Sequence, residues 1–259
     1  MTKDQCPKFK VQLPGWEAGA VGGGRMVGMK ISEMFYSLQG EGKLLGVPSV
    51  FVRVSGCNLR CEWCDTPYAS WEAVGEEMSV GEIVEKVKAY GAGHVVVTGG
   101  EPMMFKELPE LCGRLRGAGM HVTVETAGTL WQEVEMDLAS VSPKLANSTP
   151  WEREGGKFAR GHEEHRINLE VLRKFATAAG VKERQWKFVI AQAGDVAEAE
   201  GLLARIGGVK KEDVILMPEG VSQEVLAERG VWLAEVCKER GYRFSPRLQV
   251  ALWGNKRGT

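Results

Sequence analysis

The chain has 259 residues, 44% of them hydrophobic and 26% charged, which allows one large domain or two small ones with a sizeable core. Lys and Arg number 33 against 34 Asp and Glu, a net charge of −1, so overall charge gives no argument for nucleic-acid or membrane-surface binding. No apolar run approaches the roughly 18 residues that span a bilayer, and the opening MTKDQCPKFKVQLPGWEAG lacks the apolar stretch of a secretory signal; a cytoplasmic protein with no membrane or nucleic-acid partner is expected.

Residues 1–28 read as an irregular N-terminal arm. Their stretch GWEAGAVGGGRMVG is glycine-rich and aperiodic, and it is not G-x-G-x-x-G after a strand. A pattern begins at Met29, and the domain is expected over 29–259. SVFVRVS (49–55) reads as a strand. Residues 79–90 read as a helix, with Val80, Ile83, Val84 and Val87 on one face, a Ser79–Glu82 capping box and Gly91 at the C-terminal cap. HVVVTGG (94–100) is a short apolar run of the kind buried on both faces. The cycle repeats: a helix near 105–117 before the strand HVTVET (121–126), a helix near 168–179 before QWKFVI (185–190). A helix near 195–206 then precedes DVILMP (213–218), and a last helix near 222–240 precedes a terminal segment from Tyr242. This alternation predicts an α/β fold with about six parallel strands and outer helices, as an incomplete (β/α) barrel or an open sheet. In either form ligands sit at the C-terminal strand ends. Thr98 to Pro102, Glu125-Thr126, Ser142-Pro143-Lys144 and Met217-Pro218-Glu219 all fall there.

CNLRCEWC follows the first strand and places Cys57, Cys61 and Cys64 at C-x3-C-x2-C spacing. A closed zinc site needs a fourth ligand, and structural zinc sites usually pair two knuckles; no second C-x-x-C exists here. The H-x-x-H of HEEH (162–165) lies in a charged loop on this reading and is a poor ligand candidate. A three-cysteine iron–sulfur cluster leaves one iron open to chelate a small molecule. Cys112 and Cys237 fall in amphipathic stretches and read as small buried hydrophobes; Cys6 is isolated.

C-x3-C-x2-C with Trp63 before the last cysteine, together with the Gly99-Gly100-Glu101-Pro102 turn, resembles the radical S-adenosylmethionine (SAM) enzymes. EMFYSLQGEGKLLGVPSVFVRVSGCNLRCEWCDTPYA (33–69) and the ending LWGNKRGT (252–259) closely resemble one family within them, the 7-carboxy-7-deazaguanine synthases. The likeness runs from about Met29 to Thr259. It implies a radical-SAM-type partial barrel, a 4Fe-4S cluster on the three cysteines, reductive cleavage of SAM and Mg2+ assistance. It implies ring contraction of 6-carboxy-5,6,7,8-tetrahydropterin to 7-carboxy-7-deazaguanine with release of ammonia. It also implies an electron donor such as flavodoxin or ferredoxin, and a homodimer.

The resemblance assigns roles residue by residue. Gln39, Gly40 and Glu41 would hold the donor-rich pyrimidine edge of the pterin; an amide and a carboxylate complement amino and imino groups. Arg53 would pair with the substrate carboxylate, Thr98 would bond the substrate, and the Thr259 carboxylate would reach it. Trp63, Cys64, Asp65, Gly100, Glu101, Glu125, Ser142, Pro143, Lys144 and Met217-Pro218-Glu219 would hold SAM. Thr66 would bind Mg2+, as a hard oxygen donor can. Two departures stand out: this chain ends in threonine where many relatives end in valine or proline, and it has Gln249 where they often have histidine. Two other readings share features of the cluster: an activase that installs a glycyl radical on a partner protein, and a non-catalytic zinc- or cluster-binding module.

Overall fold

In the computed structural model, residues 28–259 are described; the expected arm over 1–28 lies, but for Gly28, outside the described residues. The chain forms one nine-stranded sheet. Its strands are β1 (Met29–Leu38), β2 (Pro48–Val54), β3 (Glu76–Met78), β4 (His94–Gly99), β5 (His121–Thr126), β6 (Met136–Val141), β7 (Val181–Ile190), β8 (Val214–Pro218) and β9 (Arg243–Phe244). The order is β3-β1-β2-β4-β5-β6-β7-β8-β9. From β2 to β9 neighbouring strands run parallel, whereas β1 lies antiparallel to both β2 and β3. The sheet is largely parallel and unclosed, as an incomplete barrel requires.

Two strands depart from the sequence expectation. Met136–Val141 is a full strand in the middle of the sheet. The terminal segment expected from Tyr242 contributes only the two-residue β9. The parallel run therefore has seven strands, β2 and β4 to β9, where about six are expected. The antiparallel hairpin of β1 and β2 is an addition. It sets Glu33 opposite Arg53, after a register shift between Ile31 and Glu33.

The helices are α1 (Pro67–Ser70), α2 (Val80–Ala89), α3 (Leu108–Gly117), α4 (Ala159–His165), α5 (Leu169–Thr177), α6 (Ala193–Ile206), α7 (Gln223–Arg240) and α8 (Leu248–Trp253). None among the described residues is long and apolar enough to cross a membrane. At α2 the capping box forms in both directions, with Ser79 N donating to Glu82 Oε2 at 2.8 Å and Glu82 N to Ser79 Oγ at 3.3 Å. Gly91, at φ 69°, follows the last turn, where a residue with a Cβ would be strained. α3 starts three residues later than expected because Pro102–Met104 forms its own 3-10 turn, capped by the Glu101 side chain.

Side-chain alternation divides the strands between two faces. Val50, Val52, Val54, Val95, Val97, Val122 and Val124 are fully buried and join the helix residues Ile83, Leu111, Cys112 and Leu172 in one core. The alternate positions mix apolar residues such as Phe51 and Val189 with polar ones: Arg53 on β2, Thr98 on β4, Glu125 on β5, Ser140 on β6 and Lys187 on β7. These line a common cavity. The core thus lies between sheet and helices, and the opposite face of the sheet is kept for chemistry.

Candidate active site

The cavity has a volume of about 230 Å³. It opens at the C-terminal ends of the strands. Every residue to which the resemblance assigns a role lines it except Glu101 and Pro143. Glu101 is fully buried, and its carboxylate accepts from Met103 N (3.0 Å), Thr126 Oγ1 (2.8 Å) and Ala127 N (2.8 Å). Burial pushes its pKa up. Its side chain therefore braces the strand ends. Pro143 is likewise buried behind the lining.

The three cysteines form one wall. Cys61 packs with Leu59 and Ala127, and Cys57 and Cys64 lie against that group. Burial pushes the Cys57 thiol up to about 11 and raises that of Cys61 as well. Both are neutral thiols until a metal displaces their protons. Leu59 N donates to Cys57 Sγ at 3.4 Å, and Ser70 Oγ lies 3.1 Å from Cys64 Sγ. Among the described residues no three His, Cys, Asp or Glu side chains group to hold a single metal ion. Three thiols on one apolar wall, with hydrogen bonds to sulfur, fit a multinuclear iron–sulfur cluster better than a closed zinc site.

Backbone contacts pin this wall to the Gly99-Gly100-Glu101-Pro102 turn. Gly100 N donates to Val54 O, Glu101 N to Gly56 O and Gly56 N to Ala69 O, at 2.8–3.0 Å. A Cβ on Gly100 would stand 1.8 Å from Gly56 O, so only glycine lets the two segments approach. Beyond the turn, Lys144 Nζ donates to Ser142 O and Oγ at 2.7 and 2.9 Å and lies 5.9 Å from the Trp63 ring centroid.

HEEH is not in a loop. It ends α4, and His162 is 2% exposed. Arg60 N donates to His162 Nδ1 at 3.2 Å. Ser148 Oγ donates to Leu145 O at 2.6 Å, so the 2.8 Å contact with His162 Nε2 has the imidazole as donor. Burial lowers the His162 pKa to about 4, matching this neutral tautomer. His162 props the cysteine loop; it is no ligand.

The other half of the cavity is ionic. Glu41 receives Lys187 Nζ, Arg247 Nε (3.1 Å) and Gln249 Nε2 (2.8 Å). Burial opposes its charge, but the Lys187 and Arg247 cations outweigh that and hold its carboxyl well below the usual carboxylate range. Arg247 also donates to Asp65 and to Gly220 O, joining this edge to the cysteine loop. Gln39 Nε2 and Thr98 Oγ1 donate to the two oxygens of Glu125, at 3.3 and 2.7 Å. Arg53 spends only its Nε on protein, donating to Glu33 Oε1 at 2.7 Å. Among the described residues its two terminal nitrogens have no protein hydrogen-bond partner, and the side chain lines the cavity. A guanidinium fork presented in this way suits a carboxylate.

Lys187, Arg247 and Glu33 are the main groups that sequence reasoning misses. Lys187 carries a signal: a lysine between Trp186 and Phe188 in an otherwise buried strand needs a charge partner. Arg247 and Glu33 carry none, because their partners lie 206 and 20 residues away in the chain.

The family described as the Radical SAM superfamily matches residues 51–143. A Halobacterium salinarum protein named "7-carboxy-7-deazaguanine synthase" is 46% identical over 91% of this chain and 95% of its own length. One of the same name from Rhodopirellula baltica is 42% identical over 88% of each. Among solved structures, that of QueE from Escherichia coli aligns with a TM-score of 0.62 and 26% identity, covering 85% of this chain and 94% of that one.

Proposed function

Since the chain belongs to the 7-carboxy-7-deazaguanine synthases, radical SAM enzymes, we propose that its cavity contracts the ring of 6-carboxy-5,6,7,8-tetrahydropterin to 7-carboxy-7-deazaguanine with loss of ammonia. The catalytic unit on this reading is 29–259, working in the cytoplasm in queuosine-type 7-deazapurine synthesis. The observation that carries it is the division of one cavity between a thiol wall and a charged edge that presents the free fork of Arg53.

Cys57, Cys61 and Cys64 hold the 4Fe-4S cluster, and the SAM site spans Trp63, Asp65, Gly100, Ser142, Lys144 and the end of β8. When bound, the cluster and SAM supply one-electron cleavage of a carbon–sulfur bond and so the radical that takes hydrogen from substrate. Arg53 pairs with the pterin carboxylate. Glu41, kept ionised by Lys187 and Arg247, accepts from the amino and imino groups of the pyrimidine edge, beside Gln39. Thr98, which donates to Glu125 at 2.7 Å, bonds the substrate, and Glu125 joins it to the SAM site. Burial of this edge excludes water from the reacting centre. The Thr66 hydroxyl, lining the cavity beside Cys64, would hold Mg2+ as a hard oxygen donor, and the ion would there supply charge stabilisation to substrate oxygens. A small redox protein such as flavodoxin or ferredoxin brings the electron. The chain works as a homodimer, and the apolar side chains of Phe244, Leu252 and Trp253, 37–53% exposed, support a partner surface near its C-terminus.

The test is anaerobic incubation of the reconstituted protein with the pterin, SAM and a reductant, with the product identified by mass. Formation of 7-carboxy-7-deazaguanine supports the reading. Cleavage of SAM that leaves the pterin intact rejects it.

A further inference from the structure

Glu33 sits on β1 directly across from Arg53 on β2. Its two carboxylate oxygens are divided. Oε1 accepts from Arg53 Nε at 2.7 Å and from Tyr68 OH at 2.9 Å. Oε2 accepts from Arg257 Nε at 2.9 Å. Arg257 belongs to the last residues of the chain. Its Nη2 also donates to Ser32 O at 3.0 Å, and its guanidinium lies 4.2 Å from the centroid of the Tyr68 ring. Two residues further on, Thr259 lines the cavity. Among the described residues the terminal carboxylate has no ion-pair partner within 4.0 Å.

We propose that Glu33 and Arg257 are positioning residues: Arg257 latches the C-terminal tail onto Glu33, and the same carboxylate aims Arg53, so tail closure and the substrate-binding arginine are set together. This rests on the reading of Arg53 and Thr259 as substrate-holding groups. The hinge has the right chemistry. Gly254 (φ 72°) and Gly258 (φ 78°) bracket the tail and take backbone angles open to glycine. Upstream, Leu248 N donates to Gly40 O at 3.0 Å, so the tail pivots from a fixed point beside the pyrimidine-reading loop. The latch itself is exposed on one side: the Arg257 side chain is 50% accessible and that of Glu33 12%. Ion pairs of that exposure are weak, so the tail opens to admit substrate and closes on it. With the tail closed, burial raises the Glu33 pKa less than Arg257 and Arg53 lower it, so the carboxylate is held charged. One carboxylate with two arginines has a further consequence. Closing the tail fixes the oxygen positions of Glu33, and these fix the direction of the Arg53 fork.

Two readouts test this. The first needs neither cluster nor substrate: the rate at which a carboxypeptidase releases Thr259 from ligand-free protein. Glu33→Gln leaves the tail sequence untouched and is expected to speed release about fivefold, as loss of a weak exposed ion pair would. Unchanged release overturns the latch. The second is steady-state kinetics of the reconstituted enzyme. Arg257→Ala is expected to raise KM for the pterin roughly tenfold, with iron content and SAM affinity at wild-type values. Arg257→Ala added to Glu33→Gln is expected to raise it little further, because both act through one carboxylate. An unchanged KM, or effects that multiply, overturns the coupling to Arg53. Failure of the functional reading shows differently: wild-type protein then turns over no pterin, the coupling to substrate falls with it, and Thr259 release still decides the latch.

Discussion

Replacing Lys187 by methionine removes one cation from a buried carboxylate while keeping most of the side-chain volume. The ammonium and the Glu41 carboxylate have side-chain exposures of only 9% and 13%. Breaking a buried pair by deleting one partner costs about 3–5 kcal/mol, because the remaining charge is left uncompensated. Arg247 and Gln249 still face Glu41, so the low end applies, about 3 kcal/mol. For a chain of this size that lowers the melting temperature by about 6–12 °C. The pH dependence follows from the directions of the shifts. The lowered pKa of Glu41 gives stability that is present above the ordinary carboxyl range and lost as pH falls through the folded value. The raised pKa of Lys187 gives stability that is present below the ordinary lysine range and lost as pH rises through the folded value. The gap between wild type and variant should therefore be flat from about pH 5 to about pH 10 and close outside that window. Calorimetric scans of both proteins across that range provide the measurement. A Lys187→Met/Glu41→Gln double variant should lose about 2 kcal/mol less than the sum of the singles. A single variant melting within about 2 °C of wild type, or additive losses, would refute the assignment of Lys187 as the counter-charge of Glu41.

Gly100→Ala puts a methyl 1.8 Å from Gly56 O. The turn must then leave the cysteine loop, costing at least about 1–3 kcal/mol, and isothermal titration should show SAM affinity reduced; unaltered affinity contradicts the packing account. Arg53→Ala should lose product formation far more than iron content, and Arg53→Lys should not restore it, because a point charge does not replace the fork. Equal loss of product and iron would mark Arg53 as structural. Cys57→Ala, Cys61→Ala and Cys64→Ala should each abolish SAM cleavage, and wild-type cleavage by any one of them removes that ligand from the set.

The helices and most parallel strands are legible in the sequence because each carries its own local signal. Ser79 and Glu82 cap α2 within four residues, and β4 is a run of valines. β6 escapes notice because MDLASV mixes a charge and small residues into a buried strand; Asp137 is satisfied there by Val122 N at 2.9 Å and Lys182 at 2.5 Å, from neighbouring strands. The cysteine wall is legible from spacing alone. The charged edge is not, since Glu41, Lys187 and Arg247 meet only through the fold. α4 is misread for a related reason: His162 sits among charges that suggest solvent, while its partners Arg60 and Ser148 come from distant segments. The bonds of Glu101 are likewise out of reach of spacing: its carboxylate accepts from three donors at the strand ends, two of them at the end of β5.

The central claim is that one cavity joins radical generation at the cysteines to ring contraction of a pterin held by Arg53 and Glu41. The most direct test is to supply the reconstituted enzyme with excess pterin and reductant but substoichiometric SAM, and to quantify 7-carboxy-7-deazaguanine, ammonia and 5′-deoxyadenosine together. The family resemblance implies that SAM is a reusable cofactor, regenerated in each cycle, so the account predicts more than one deazaguanine per SAM, one ammonia for each deazaguanine, and little 5′-deoxyadenosine. Stoichiometric 5′-deoxyadenosine with no deazaguanine and no ammonia would contradict it.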